Sequence, residues 1–309
     1  MATFLVTGGA GFIGSHLVQA LLAGGERVRV LDNFSTGRRE NLPADNPRLE
    51  VLEGDLRQAP LLQRAVQGVE VIFHLAAFIS VPASLRDPQT CFEVNAAGTA
   101  TLLEAARQAG ARKVVFSSSS AIYGDNDHLP LAESETPRPL SPYALSKLVG
   151  EQYGRFYTRI FGLPVTALRY FNVYGPRQAP DSPYAAAIPI FIRRLRDGQA
   201  VDIFGDGQQT RDFIFVGDVV RANLLAAETP AADGEVINIC TGQETSLLDL
   251  LAALSEAGGS KPEVRFGPPR PGDIYRSAGD PHKAVRLLGF RAETTLADGL
   301  RQTFEWMGA

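Results

Sequence analysis

The stretch Ser141-Pro142-Tyr143-Ala144-Leu145-Ser146-Lys147 carries the residues best suited to chemistry in this 309-residue chain. Tyr143 and Lys147 are four apart, so on a helix they share one face, and Pro142 suits a first helical turn. A phenol titrates near pH ~10 and is a poor base at neutrality. An ammonium one turn away stabilises its anion, and a cationic ring beside it would add to that. Such a tyrosinate could take the proton of a substrate hydroxyl while hydride leaves the same carbon. An ordinary lysine beside a half-buried tyrosine has the same spelling, so the pair needs company. Upstream, the apolar run Val114-Val115-Phe116 ends in Ser117-Ser118-Ser119-Ser120. Hydroxyls at a strand end can donate to a substrate oxygen or a carboxamide, although serine is also common in plain turns.

The first fifteen residues add a binding chemistry. Phe4–Val6 reads as a buried strand, Gly8, Gly11 and Gly14 follow at three-residue spacing, and Ile13, Leu17, Val18, Leu21 and Leu22 then fall on one helical stripe. Strand, glycine turn and helix together predict a dinucleotide site rather than a mere glycine-rich connection. Glycine permits positive φ and close approach of backbone to phosphate, and the helix N-terminus offers free N–H groups to a pyrophosphate. A second strand, Arg27–Leu31, ends in Asp32-Asn33, near the distance at which an acid grips the adenosine ribose. A carboxylate there repels a 2′-phosphate, which favours NAD over NADP; Arg38 and Arg39 argue the other way. Strands ending in Gly54-Asp55-Leu56 and His74-Leu75-Ala76-Ala77 place further small or acidic residues along the same sheet edge.

The elements that must position these residues alternate. Strands are predicted at 4–6, 28–31, 49–52, 71–74, 113–117 and 164–169, with helices near 15–23, 60–66, 89–108 and 142–161, which argues for an α/β domain with a mostly parallel sheet. After Arg169 prolines break the pattern, and a smaller α+β lobe is expected. The division is residues 1–169 and 170–309, with a soft boundary and with segments near 212–240 returning to the large sheet. The helices 89–108 and 142–161 are apolar on more than one face, at Ala96, Ala97, Ala100 and Leu103 and at Leu145, Leu148, Val149, Tyr153 and Phe156. Such helices are either deeply buried or at a subunit interface. Hydrophobic residues make up 45% of the chain, enough for a large core. The net charge of −4, with signs interspersed, gives no nucleic-acid surface. Cys91 and Cys240 form no metal or redox motif, and no segment reads as a signal peptide or membrane span. A cytoplasmic protein without a metal is expected.

Taken together, these marks resemble the extended short-chain dehydrogenase/reductase superfamily, and within it the nucleotide-sugar 4-epimerases. The resemblance runs over essentially the whole chain and is carried by Thr7-Gly-Gly-Ala-Gly-Phe-Ile-Gly14, Asp32-Asn33, Gly54-Asp55-Leu56, His74-Leu-Ala-Ala77, Asn95, Ser117-Ser-Ser119, Tyr143-Ala-Leu-Ser-Lys147, Arg169-Tyr-Phe-Asn-Val-Tyr-Gly-Pro176 and Arg270-Pro-Gly-Asp273. It implies a Rossmann-type doubly wound parallel sheet with a C-terminal substrate lobe, an NAD cofactor, a uridine diphosphate (UDP) hexose as substrate, and a homodimer through helices 89–108 and 142–161.

By position the resemblance makes Tyr143 the acid/base, Lys147 its electrostatic partner and a ribose ligand, and Ser119 the holder of the sugar 4-oxygen, with Ser120 as the register alternative. It sets Gly8, Gly11, Phe12, Ile13 and Gly14 at the pyrophosphate. Asp32, Asn33, Ser35, Thr36 and Gly37 surround the adenosine ribose, and Asp55 and Leu56 lie by the adenine. Leu75, Ala76, Ala77, Asn95, Ser117, Tyr170 and Val173 belong to the inner cofactor site. Phe171, Asn172, Ile188, Phe204, Arg211, Arg270, Asp273 and Ser277 are expected at the UDP-sugar, where two arginines suit a diphosphate. Ser277 matches a gatekeeper whose small size admits an N-acetyl group, so UDP-GlcNAc/UDP-GalNAc are expected beside UDP-Glc/UDP-Gal.

Some positions depart from the family pattern. Ser120 and Ala121 follow Ser119 where dehydratases and decarboxylases place an acid, which disfavours β-elimination. Ala185-Ala-Ala-Ile-Pro189 replaces an Asn-Asn-Leu diphosphate contact, and Ile79 stands where a lysine is common. Two alternatives remain at this level: a UDP-glucuronate 4-epimerase or other keto-sugar enzyme, and a non-catalytic NAD-binding regulator. The intact Ser119, Tyr143 and Lys147 set argues against the second.

Overall fold

A computed structural model describes residues 3–179, 186–269 and 274–308. Its strands are β1 (Thr3–Thr7), β2 (Arg27–Asp32), β3 (Leu49–Glu53), β4 (Val71–His74), β5 (Lys113–Ser119), β6 (Val165–Tyr170), β7 (Asn172–Tyr174), β8 (Val201–Phe204), β9 (Thr210–Arg211), β10 (Phe213–Phe215), β11 (Val236–Ile239), β12 (Thr245–Ser246) and β13 (Val264–Gly267). Its helices are α1 (Phe12–Ala23), α2 (Ala59–Val66), α3 (Val81–Arg86), α4 (Pro88–Phe92), α5 (Gly98–Gln108), α6 (Pro142–Phe161), α7 (Ala187–Arg196), α8 (Val216–Glu228), α9 (Leu247–Gly258), α10 (His282–Leu288) and α11 (Leu296–Trp306).

Seven strands form one parallel sheet in the order β3-β2-β1-β4-β5-β6-β11. Parallel strands need crossover helices, which cover both faces, so the central strands read as continuous apolar runs. One face packs Leu17, Val18, Leu21 and Leu22 of α1 with Val219, Ala222 and Ala226 of α8. The other packs Leu62 and Ala65 of α2, Leu102, Leu103 and Ala106 of α5, and Tyr157 of α6. β11 and α8 lie late in the chain yet join this sheet and its cover. A separate core holds Ile188, Phe191, Ile192 and Leu195 of α7, Ile203 of β8, Leu250 and Leu254 of α9 and Leu300 of α11.

The order reverses between β1 and β4, so the carboxyl ends of these neighbours diverge and leave a crevice. The helical stretch 88–108 is continuous but carries a π-helical turn over Glu93–Ala97. Such single π turns are frequent at functional sites, and this one sets the Asn95 carboxamide against Phe78. The apolar surface of α4 and α6 is not interior. Phe92 is 55% exposed, Leu145 53%, Phe156 51% and Ile160 57%, which excludes deep burial within one chain.

Candidate active site

The crevice is a cavity of about 600 Å³ along the carboxyl edge of β1, β2, β4, β5 and β6. Local chemistry shapes its floor. Gly8 sits at φ +69°, and a Cβ there would lie 2.7 Å from Ala76 N; one on Gly14 would lie 2.1 Å from Gly8 O. The first glycine therefore makes the turn, and the third lets α1 pack against it. Helix α1 has no side-chain cap and no acid in its first turn, so the N–H groups of Phe12, Ile13 and Gly14 face the cavity without a competing carboxylate. Asp32 ties the turn down by accepting from Ala10 N at 2.9 Å and Phe34 N at 2.8 Å. Asn33, Ser35 and Thr36 line the wall beside it, while Gly37 packs behind, against Ala10 and Asp32. Asp55 accepts from Asn33 at 3.0 Å, and the Arg57 guanidinium holds its carboxyl down at about 2.

At the other end of the same cavity stand Ser117, Ser119, Tyr143, Lys147, Tyr170, Phe171 and Val173. Ser141 caps α6 by accepting from Ala144 N, with Pro142 next, so Tyr143 and Lys147 ride its first two turns. Lys147 Nζ lies 5.9 Å from the Tyr143 ring centroid and donates to Ser117 O at 2.7 Å. Burial pushes the Lys147 ammonium down to about 8. Burial also raises the Tyr143 phenol, while Ser119 acts in the opposite sense by hydrogen bonding that favours the tyrosinate. Ser119 Oγ accepts from Ala121 N at 3.2 Å, which leaves its proton to donate. Ser119 lines the cavity, whereas Ser120 is not among the lining residues.

Behind the floor runs a buried chain of hydrogen bonds. Thr99 donates to Asn95 O, so it accepts from His74 Nε2 (2.9 Å); His74 Nδ1 then accepts from Thr7 (2.8 Å), whose oxygen takes Ala76 N–H (3.2 Å). The chain requires a neutral ring, and burial pushes His74 down to about 3. Asn95 lies outside the cavity lining. Its carboxamide accepts from Phe78 N at 2.7 Å and donates to Phe78 O and to Ser146, so it braces the wall through backbone.

Other expected contacts fall elsewhere. Asn172 is not in the cavity wall; it sits in β7, paired with β10. Ile188 is 1% exposed and its side chain is consumed by the C-terminal core, because the apolar stripe of α7 needs it there. Phe204 ends β8 and Arg211 lies in β9, and neither is among the residues that line this cavity. Ser277 is buried beside β9, where Thr210 N donates to Tyr275 O. Arg270, Asp273 and Ala185 lie outside the described residues. Sequence reasoning passed over Phe78, Thr90, Val94 and Gln178, which also line the cavity. Gln178 Nε2 donates to Val173 O, while its Oε1 is buried with no hydrogen-bond partner among the described residues. No signal along the chain marks such a residue, since its importance is set by the turn that aims it.

An anion-binding helix end, an acid at the tip of β2 and a tyrosine–lysine pair thus share one elongated cavity, a geometry that fits a dinucleotide. The model of the NAD dependent epimerase/dehydratase family matches residues 4–240. The chain belongs to that family. It is 44% identical over 306 residues to the UDP-glucose 4-epimerase of Mycolicibacterium smegmatis, covering 98% of this chain and 97% of the relative. The UDP-glucose 4-epimerase of Thermotoga maritima, solved with UDP-glucose, is similar at 43% identity and TM-score 0.94, covering 99% of this chain and 98% of that one. The UDP-N-acetylglucosamine 4-epimerase of Methanobrevibacter ruminantium, solved with UDP-N-acetylmuramic acid, is similar at 39% identity and TM-score 0.96, with the same coverage.

Proposed function

We propose that this protein is an NAD-dependent UDP-hexose 4-epimerase. The observation that carries the reading is the convergence of Ser119, Tyr143 and Lys147 with the glycine turn on one cavity. The cavity suits NAD: the N–H groups of Phe12, Ile13 and Gly14 would hold its pyrophosphate and Asp32 its adenosine ribose. When bound, it would accept a hydride from the sugar C4 and return it. Tyr143 takes the 4-hydroxyl proton as hydride leaves and gives it back as hydride returns. Lys147 makes this possible near neutrality by favouring the tyrosinate. Ser119 has one proton to donate, to the tyrosinate before transfer or to the 4-oxygen as charge develops there, and its hydroxyl bridges the two. Ala121 and Ser120 supply no acid to drive elimination, so the chemistry stops at epimerisation.

Arg211 and Phe204, with Arg270 and Asp273, are assigned to the uridine diphosphate. The small Ser277 is assigned to the sugar 2-substituent, so UDP-GlcNAc and UDP-GalNAc are turned over as well as UDP-Glc and UDP-Gal. Residues 1–169, joined by β11 and α8, form the cofactor domain, and most of 170–309 forms the substrate lobe. The exposed apolar residues of α3, α4 and α6, among them Leu85, Phe92, Leu145, Phe156 and Ile160, are assigned to a homodimer interface. Two free buried thiols suit a cytoplasmic enzyme; among the described residues no helix is long and apolar enough to cross a membrane.

The test is incubation of the purified protein, without added NAD, with UDP-Glc and separately with UDP-GlcNAc, followed by proton NMR. The 4-epimer of each sugar is expected. A 4-keto-6-deoxy product would replace the reading with dehydration, and turnover of UDP-glucuronate alone would replace the substrate. Tyr143→Phe should abolish turnover while NAD still co-purifies. Ser277→Tyr should suppress the N-acetyl reaction and spare the plain hexose; full N-acetyl activity in that variant would remove the gatekeeper assignment. Light scattering that finds monomer alone would remove the dimer.

A further inference from the structure

Glu151 lies one helical turn beyond Lys147 on α6. By that i, i+4 spacing its carboxylate would be the ready counter-ion of the Lys147 ammonium. The fold gives it another. Arg169 Nε and Nη2 each donate to one Glu151 oxygen at 2.8 Å, and Ser118 Oγ donates to Oε1 at 2.6 Å. Lys147 Nζ turns instead to Ser117 O. The ion pair is sealed, with Glu151 1% and Arg169 4% exposed. Arg169 lies over the Tyr123 ring at 4.7 Å, and its Nη1 finds no acceptor among the described residues. Buried ion pairs are expensive to desolvate and often add little stability, so this one calls for a reason other than holding the fold together.

We propose that Arg169 is a positioning residue that draws Glu151 away from Lys147, so that the Lys147 charge stays directed at Tyr143; this rests on the epimerase reading for its catalytic meaning. Consecutive residues of β5 do the sorting. The Ser117 carbonyl takes the ammonium, the Ser118 hydroxyl takes the carboxylate, and Ser119 follows into the cavity. The groups that face Lys147 are His74 from β4, Cys91 from α4, Tyr143 and Glu151 from its own helix, and Arg169 behind Glu151 on β6. Burial keeps the His74 ring and the Cys91 thiol neutral near pH 7. Glu151 is therefore the carboxylate able to quench Lys147, and among the described residues Arg169 is the full positive charge that competes with Lys147 for it.

The experiment compares Arg169→Met, Glu151→Gln and the double variant. One readout is the titration of Tyr143, taken as tyrosinate absorbance after subtraction of the matching Tyr143→Phe protein, with no substrate present. The other is the pH profile of kcat and KM. In Arg169→Met the freed carboxylate pairs with Lys147, so the Tyr143 pKa should rise by about one unit and kcat at pH 7 should fall about tenfold with KM little changed. Glu151→Gln removes the rival and leaves an extra positive charge, so the Tyr143 pKa should fall. The double variant should return toward the wild type. A merely structural pair would lower the melting temperature in both single variants without opposite movements of Tyr143. Movement in the same direction, or none, overturns the proposal. Should Arg169→Met fail to fold, the proposal still requires a downward shift in Glu151→Gln that the double variant cancels. Because the titration needs no turnover, a wild type inactive on UDP-sugars would remove the epimerase reading while leaving the charge argument separately tested.

Discussion

Replacing Lys147 with methionine should stabilise the NAD-free protein while destroying its activity. Lys147 is 3% exposed, and burial is the dominant influence on its ammonium, which is pushed from 10.5 down to about 8. A lysine depressed in the folded state binds its proton more weakly there than in the unfolded chain. Between these two values the unfolded state holds more protons, so stability rises with pH. Below about pH 8 the penalty is complete and worth about 3 kcal/mol at ~1.4 kcal/mol per pKa unit. Methionine keeps a similar apolar stem and carries no charge. It loses the ammonium's hydrogen bond to Ser117 O, worth about 2 kcal/mol for a charged donor. The net expectation at pH 7 is a gain of about 1 kcal/mol, or roughly 2 °C in Tm for a chain of this size. The assay is paired guanidinium denaturation of wild type and variant, both stripped of nucleotide, from pH 7 to pH 10.5. The gain should shrink steadily above pH 8 as the wild-type lysine loses its proton. A variant less stable at pH 7, or a gain that does not shrink, would refute the claim that a desolvated charge is held here.

Three further outcomes are expected. Gly14→Ala should lose co-purified NAD, because its Cβ would stand 2.1 Å from Gly8 O and only backbone movement can relieve that; absorbance of nucleotide released on denaturation reads it, and the strain should cost about 1–3 kcal/mol in a melt. His74 titrates at about 3 when folded, against 6.5 unperturbed, so stability should fall as pH drops through that window, by about 3 kcal/mol between pH 6.5 and 4; denaturation across that range should show a shallower fall in His74→Asn. Ser119→Ala should keep NAD and lower kcat by about tenfold to a hundredfold, with the acid limb of the kcat profile displaced upward because the hydroxyl that favours the tyrosinate is gone.

Much of the site is legible along the chain because its parts are local. The glycine turn, the cap and first turn of α6, and the acid at the tip of β2 each depend on neighbours within a few residues, where spacing maps directly onto geometry. Contacts that cross the chain were not legible in that way. The bracing of Phe78 by Asn95 is one, since it takes a π turn in the helix to aim the carboxamide there. The packing of Ile188 into the C-terminal core by the amphipathic α7 is another. Helix α6 left deep burial and interface open, and only the exposure of its apolar face excluded the first.

The sequence by itself determined most of the alternating strands and helices of the first 169 residues, the glycine turn, and the pairing of a tyrosine with a lysine on one helix. The tertiary structure alone decided the strand order β3-β2-β1-β4-β5-β6-β11. That order sets the end of β1 beside β4, with β5 next in the sheet, so residues more than a hundred positions apart meet in one cavity. It also decided the partners of buried charges. Spacing assigns Glu151 to Lys147, whereas the fold assigns it to Arg169, 18 residues away. The physical reason is that a low-dielectric interior gives each buried charge to the donors that packing can bring into bidentate reach, and packing is settled by how the whole sheet is covered.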